Sequence, residues 1–330
     1  MRVLVTGGTG FIGRRLVKAL LTRGHLRDAS EHEQEITALC VSDVAEPPEL
    51  LPDDARIEAA FGDFSLEGAA EGLLTEDTGV VFHLAAIVSG QAEQEFDLGM
   101  RINLDGTRRL LEACRRLPKP ARLVFSSSVA AYGGNMPKVI SDDTPATPQT
   151  SYGSQKVGSE YLVSDFARKG FVDGRSLRLP TIVVRAGKPN AAASSFASSI
   201  IREPLQGEET ACPVSTETGV WLLSPRRVIE CFLHAADLPA EAWGMNRTLV
   251  LPGMTVTVAD MVSALRDVAG EQVAARVRFE PDPFIERIVY GWPTRFSVQR
   301  ASAMGFRPDD DFHSIVEAFI EDDLGGRFAA

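Results

Sequence analysis

After Met1 the chain runs Arg2-Val3-Leu4-Val5-Thr6-Gly7-Gly8-Thr9-Gly10-Phe11-Ile12-Gly13. The first five of these residues read as a short buried strand. The glycines satisfy Gly-x-x-Gly-x-x-Gly from Gly7 and Gly-x-Gly-x-x-Gly from Gly8. Ile12, Leu16, Ala19 and Leu20 then recur at helical spacing until Gly24. A pyrophosphate needs backbone N–H donors, the positive end of a helix and no Cβ in the way. A bare glycine pattern is often only a turn. The strand before this one and the helical run after it make Gly7, Gly10, Phe11, Ile12 and Gly13 candidates for a dinucleotide site.

The same alternation continues. Residues 35–41, 56–61 and 79–84 read as strands, with a polar stretch at 26–34 read as an exposed extra loop. Residues 93–117 read as one long helix, with Phe96, Met100, Leu104, Leu111 and Cys114 among its apolar positions. A strand at 121–127, a helix at 151–169 and a strand at 174–179 follow. Strand–helix alternation on this scale predicts an α/β fold, a Rossmann-type doubly wound parallel sheet. Past Pro180 the rhythm breaks. Residues 220–223 are expected to return a strand to the sheet, followed by a helix at 226–236. A short strand at 246–251 and helices at 257–269 and 312–322 complete the reading. The predicted organisation is a dinucleotide-binding domain over 1–180 plus about 216–244, and a smaller α/β C-terminal substrate lobe over 181–215 and 245–330.

In this fold an acidic residue at the end of the second strand holds the adenosine ribose. Asp43 is the candidate, although Cys40 competes for the position. Arg14 and Arg15 follow the last glycine and either meet a 2′-phosphate or lie solvated in a first helical turn. The reading favours NAD and leaves NADP open. Asp63, after the third strand, is either an acceptor for the adenine amino group, with Phe64 lining the ring, or an ordinary turn residue. Leu84, Ala85 and Ala86 end the fourth strand, where small side chains let a cofactor lie across the tip. His83 beside them reads as a structural histidine.

Ser126-Ser127-Ser128 ends the fifth strand, at the carboxyl edge where open α/β sheets bind ligands. Tyr152 and Lys156 follow, one turn apart on one helix face. By themselves they could be a half-buried ring beside a solvated amine. After the glycine turn and the serines, they become an acid–base pair: a permanent cation at Lys156 favours phenolate over phenol at Tyr152.

Composition bounds the alternatives. The chain has 330 residues, 44% hydrophobic and 24% charged, enough for a substantial core. A net charge of −11 without a cationic run argues against a nucleic-acid or anionic-membrane surface. Cys40, Cys114, Cys212 and Cys231 have neither CxxC nor zinc spacing, and the histidines have no ligand spacing, so no metal is expected. Free thiols and the lack of a signal-peptide pattern read as cytoplasmic.

The strings Gly7 to Gly13, Gly62-Asp63-Phe64, His83-Leu84-Ala85-Ala86, Asn103-Leu104-Asp105-Gly106-Thr107, Phe125-Ser126-Ser127-Ser128, Ala131-Tyr132-Gly133 and Tyr152 to Lys156 together resemble the extended short-chain dehydrogenase/reductase family. The resemblance implies that Ser128 is the catalytic serine, Tyr152 the acid–base and Lys156 its partner, also holding the nicotinamide ribose. It places Asn103 as a helix asparagine that orders the site. Ser126, Pro180 and Thr181 fall beside the nicotinamide. Within the family, Phe96-Asp97-Leu98-Gly99, Thr147 to Gly153, Gly170 to Arg175, Pro189 to Ser198, Trp221 to Arg226 and Phe279 to Pro283 are similar to a subgroup that oxidises a four-carbon aldonate at its 2-hydroxyl with NAD.

The expected activity is therefore oxidation of a small sugar acid. Its carboxylate calls for a cation or a cluster of donors, and the substrate candidates are Ser89, Ser128, Tyr152, Arg185, Asn190 and Ser195, with Ser194 and Arg202 beside them. The competing readings are a nucleoside-diphosphate-sugar epimerase or dehydratase using the same residues, and a non-catalytic dinucleotide-sensing regulator. The helices at 93–117 and 151–169 have apolar positions compatible with a homodimer.

Overall fold

The computed structural model describes residues 1–46, 51–187 and 193–329. Two compact units make up the chain. The first contains Met1–Ala131, Pro148–Arg178 and Ile229–Val250; the second contains Tyr132–Thr147, Leu179–Val228 and Leu251–Ala330. Residues 216–228, expected with the first domain, fall in the second unit, and 245–250 fall in the first.

The first unit is built on a seven-stranded sheet among the described residues. In spatial order its strands are Ile57–Phe61, Ala38–Asp43, Arg2–Thr6, Thr78–His83, Arg122–Ser128, Asp173–Leu179 and Thr248–Val250. Arg2–Thr6 pairs in parallel with Ala38–Asp43 on one side and Thr78–His83 on the other. The chain order reverses direction there, which opens a crevice at the carboxyl ends of those strands. All five residues of Arg2–Thr6 are buried, as a strand covered by helices on both faces requires. Leu4, Cys40, Val81, Leu110, Leu111, Leu123, Phe125 and Val163 form one core cluster of this unit. The expected doubly wound parallel fold is therefore observed.

Four local expectations need correction. Gly219–Leu223 does not return to the main sheet. It forms a separate three-stranded sheet with Thr181–Ile182 and Met254–Thr257. The returning strand is Thr248–Val250, which pairs with Asp173–Leu179. Both segments are short apolar runs, and strand propensity does not name a partner. Residues 26–34 are not a plain exposed loop: His25–Arg27 and Glu33–Glu35 make an antiparallel hairpin with Leu26 fully buried. The second strand is shifted to Ala38–Asp43 and so ends on the acidic residue. The long helix at 93–117 is a series: Ser89–Gln94, Phe96–Gly99, a π-helical turn Met100–Asp105, and Gly106–Arg115.

The second unit has its own core, in which helices Ser195–Leu205, Val258–Ala269 and Phe312–Asp323 pack through Phe196, Ile200, Met261, Leu265, Phe312 and Phe319. Thr257 and Asp260 cap Val258–Ala269 reciprocally, which satisfies two otherwise orphaned donors.

Candidate functional site

The glycine turn is compressed to a degree that only glycine allows. Gly7 has φ +68°, and a Cβ there would lie 2.8 Å from the Ala85 nitrogen. At Gly13 a Cβ would come within 2.1 Å of the Gly7 carbonyl oxygen. Helix Phe11–Arg23 therefore starts directly against the turn. Gly10 caps it without a side chain, and its first turn has no acidic residue. A helix end of this kind favours an anion, so these residues fit a dinucleotide pyrophosphate.

Asp43 closes the other side of the turn. Its Oδ2 accepts from the Thr9 N–H (3.1 Å) and hydroxyl (2.6 Å), and its Oδ1 from the Val44 N–H (2.8 Å). Cys40 does not compete for this position. It is 1% exposed in the middle of its strand, and burial raises its thiol pKa. Arg15 folds back on its own helix, donating to the Phe11 carbonyl at 3.2 Å and lying over the Phe11 ring.

The Asp63 carboxylate accepts from the Ser65 N–H (2.9 Å), from the Ser65 hydroxyl and from Arg101, and these contacts hold it ionised against partial burial. Phe64 is a core residue. Its ring meets His83 edge-on at 5.4 Å and packs on Gly106. Leu84, Ala85 and Ala86 are half-buried at the strand tip.

Tyr152 and Lys156 lie on helix Ser151–Arg168, whose start is fixed by Thr150: its hydroxyl accepts from the Gly153 N–H at 3.1 Å. Gly153 itself abuts the Ala130 carbonyl, so the helix enters tight against the strand end that carries the serines. Tyr152 is half-buried. The Lys156 ammonium is 5.5 Å from the Tyr152 ring centroid and 4.7 Å from that of Phe125, and it donates to the Ser126 carbonyl at 2.8 Å. Lys156 is 1% exposed. Burial pulls its pKa down to about 7, against the pull of the Glu160 carboxylate one turn on. The Ser128 hydroxyl is half-buried and accepts from the Ala130 N–H at 3.1 Å.

Asn103 is buried in the π-helical turn, a distortion that often marks functional sites. Its side chain grips the Ile87 backbone at both N–H (2.9 Å) and carbonyl (3.2 Å), and also donates to Gln155 Oε1 at 2.8 Å. The first unit thus brings together Gly7 to Gly13, Asp43, Asp63, residues 84–86, Asn103, Ser126, Ser128, Tyr152 and Lys156. Ser89 opens a short helix in the same unit.

The remaining candidates belong to the second unit. Pro180 is buried and Thr181 half-buried. Arg202 is 2% exposed and committed to the Arg185 carbonyl (2.6 Å) and Glu203 (2.6 Å), so it ties its helix to the segment at Arg185. The Arg185 N–H donates to Ser198 at 3.0 Å, and its side chain is partly exposed. Ser194 and Ser195 begin helix Ser195–Leu205. Asn190 lies outside the described residues.

A family model described as the NAD dependent epimerase/dehydratase family matches residues 3–240. The chain belongs to that family. It is 52% identical over 322 residues to a D-erythronate dehydrogenase of Cupriavidus necator, covering 98% of each chain. A D-erythronate dehydrogenase of Haemophilus influenzae is 45% identical over 325 residues, 98% of this chain and 100% of that one. Among solved structures, a protein described as the nucleoside-diphosphate-sugar epimerase from Agrobacterium tumefaciens superposes with TM-score 0.92 at 42% identity, covering 99% and 95%. An L-threonine 3-dehydrogenase from Trypanosoma brucei follows with TM-score 0.85 at 26% identity, covering 100% and 99%. Like its family, the chain is a nicotinamide-dinucleotide-dependent enzyme of the short-chain dehydrogenase type.

Sequence reasoning missed three residues that support the candidate site. Gln155 is 2% exposed and is the acceptor that orients Asn103. Glu160 is held by both nitrogens of a bidentate fork from Arg178 (2.8 and 2.6 Å) and by the Ser127 hydroxyl. Arg101 covers Asp63. Glu160 was detectable, being four residues after Lys156 on the same helix. The other two acquire meaning only across elements.

Proposed function

We propose that the chain oxidises the 2-hydroxyl of a small sugar acid with NAD, most specifically D-erythronate to 2-oxo-tetronate. The observation that carries the reading is the seating of Lys156 on the Ser126 carbonyl, one helical turn from Tyr152. The two relatives named D-erythronate dehydrogenase, matched over nearly their whole length, support the substrate. The position of Asp43 against the glycine turn supports NAD over NADP, because a carboxylate there opposes a 2′-phosphate.

In this reading Tyr152, as phenolate, accepts the proton of the substrate hydroxyl. Lys156 stabilises the phenolate: an ammonium has three N–H donors, and the Ser126 carbonyl takes one. Ser128 orients the hydroxyl. Asn103 and Gln155 hold the segment at Ile87 in place. NAD, held by the glycine turn and Asp43, would supply the acceptor for the hydride that leaves the carbon bearing the hydroxyl. Arg185 is proposed for the substrate carboxylate, with Ser89, Asn190 and Ser195 as further contributors. A homodimer is part of the proposal. Phe96 is 57% exposed and Tyr161 70% exposed, and Phe96, Met100, Leu104, Thr150 and Ser154 line a groove of about 540 Å³ between the two helical segments expected to pair.

The test is to mix enzyme, excess NAD and D-erythronate and follow nicotinamide absorbance. Net reduction supports the reading, and no reduction with any aldonate rejects it. The Agrobacterium structure favours a second reading, a nucleoside-diphosphate-sugar epimerase. That enzyme would interconvert sugar nucleotides without accumulating reduced cofactor.

A further inference from the structure

His83 is fully buried, and both of its ring nitrogens are engaged: Nδ1 lies 2.7 Å from the Thr6 hydroxyl and Nε2 lies 2.9 Å from the Thr107 hydroxyl. A hydroxyl has one proton to give. Thr107 gives its proton to the Asn103 carbonyl at 2.7 Å, inside the π-helical turn. Toward His83 it can therefore only accept, so Nε2 must carry a hydrogen. On the other side, the Thr6 hydroxyl accepts from the Ala85 N–H at 3.3 Å and is free to donate to Nδ1.

The geometry points to a one-way hydrogen-bonded chain, Ala85 N–H to Thr6 to His83 Nδ1, then His83 Nε2–H to Thr107 to the Asn103 carbonyl, in which a neutral Nε2–H imidazole acts as the positioning residue that locks the strand tip at Ala85 to the turn that carries Asn103. A second proton on His83 would turn Nδ1 into a donor, and the Thr6 hydroxyl, accepting from both Ala85 and Nδ1, would lose the acceptor for its own proton. Its surroundings oppose that proton. The rings of Phe125 (stacked, 5.6 Å) and Phe64 (edge-on, 5.4 Å) enclose it, and the charged group that acts on it is Lys156. Burial, with Lys156 adding to it, brings the imidazole pKa down to about 3. A neutral His83 in turn spares Lys156 a second cation at close range.

The chain matters because of what Ala85 touches. Its nitrogen lies where a Cβ on Gly7 would be 2.8 Å away, so the strand tip forms one wall of the glycine turn. Slack at His83 would loosen both the tip and the hold of Asn103 on Ile87. The inference rests on the reading of the glycine turn and residues 84–86 as the dinucleotide site.

Two measurements on the full chain test it, both without substrate. In protein labelled with 15N-histidine, the His83 ring, assigned through its own backbone correlations, should show protonated Nε2 and bare Nδ1, unchanged from about pH 9 to about pH 5. An Nδ1–H tautomer, or a titration within that range, overturns the proposal. Thr107→Val keeps the shape but removes the hydroxyl, while Thr107→Ser keeps the hydroxyl. Thr107→Val should weaken NAD binding about 10-fold, roughly the worth of one buried hydrogen bond, with Thr107→Ser restoring it. Equal NAD affinity in the wild type and both variants overturns the positioning role. If the wild type binds NAD but oxidises no aldonate, the substrate reading falls, while the His83 chain is still judged on its spectra and on NAD affinity.

Discussion

The Lys156 amine is bonded at 2.8 Å to the carbonyl oxygen of Ser126, so the helix that carries the phenol is tied directly to the end of the strand that carries the serines. Replacing Tyr152 should then affect chemistry and little else. Tyr152→Phe is expected to lower kcat by about 100- to 10,000-fold, the usual worth of a positioned acid–base group, with NAD affinity retained. Steady-state kinetics and equilibrium binding of NAD check the two halves. A variant with unchanged activity would return the regulator reading to consideration.

Lys156 also leaves a signature in stability. Its pKa in the folded chain is about 7, against 10.5 for an ordinary lysine. Between those values the unfolded chain binds one proton more than the folded chain, so this residue makes stability rise as pH rises from 7 to 10.5, with no further change below 7. Lys156→Met should flatten that slope in denaturant titrations across this range. A slope identical to wild type would contradict a Lys156 pKa lowered by burial.

Gly13→Ala puts a methyl group 2.1 Å from the Gly7 carbonyl oxygen, a backbone atom that cannot turn aside. The expected result is a loss of about 1–3 kcal/mol in unfolding free energy together with weakened NAD binding. Denaturant midpoints and NAD titration measure both.

Asp43→Asn removes the charge next to the turn while keeping an amide oxygen able to accept from Thr9. The ratio of kcat/KM for NAD to that for NADP should drop by about 10-fold or more. An unchanged ratio would mean that this carboxylate does not set the preference.

Arg122 provides the control remote from the cofactor turn. It is fully buried and donates to Asp173 (3.0 Å), Glu31 (2.7 Å) and the Ala236 carbonyl (2.5 Å). Arg175 and Arg247 join it on Asp173. Arg122→Met breaks a buried charge network and should cost about 3 kcal/mol of stability, with KM for NAD unchanged. Thermal unfolding and kinetics on the same sample separate the two effects.

The residues that could be read from sequence were those whose meaning is local. The glycine turn stands between a strand and a helix, and Tyr152 and Lys156 share one helix face downstream of the serines, so spacing and order along the chain together singled them out. The strand at 38–43 was read two to three residues early because the polar-to-apolar change at 35–37 looks like a strand start, and that error let Cys40 compete with Asp43. The two short runs at 220–223 and 248–250 are equivalent as strand formers. Only the pairing of Thr248 to Val250 with Ser176 to Arg178 tells which one extends the sheet. Gln155 and Thr107 could not be recognised in advance because each acts through a partner on another element. The burial of Lys156 was hidden for a related reason: a lysine on a helix face is normally solvated, and its 1% exposure comes from packing against another element, at Phe125 and Ser126.

The late arrival of Thr248–Val250 has a consequence for biosynthesis. Until that segment emerges, Asp173–Leu179 is the outermost strand, with one row of backbone donors and acceptors unpaired. About seventy residues separate the two, so a nascent chain carries an open, pairing-competent edge for several seconds of elongation. A release from the ribosome before residue 248 would expose that edge permanently. Such fragments should self-associate, whereas chains that include Val250 close the sheet against their neighbours.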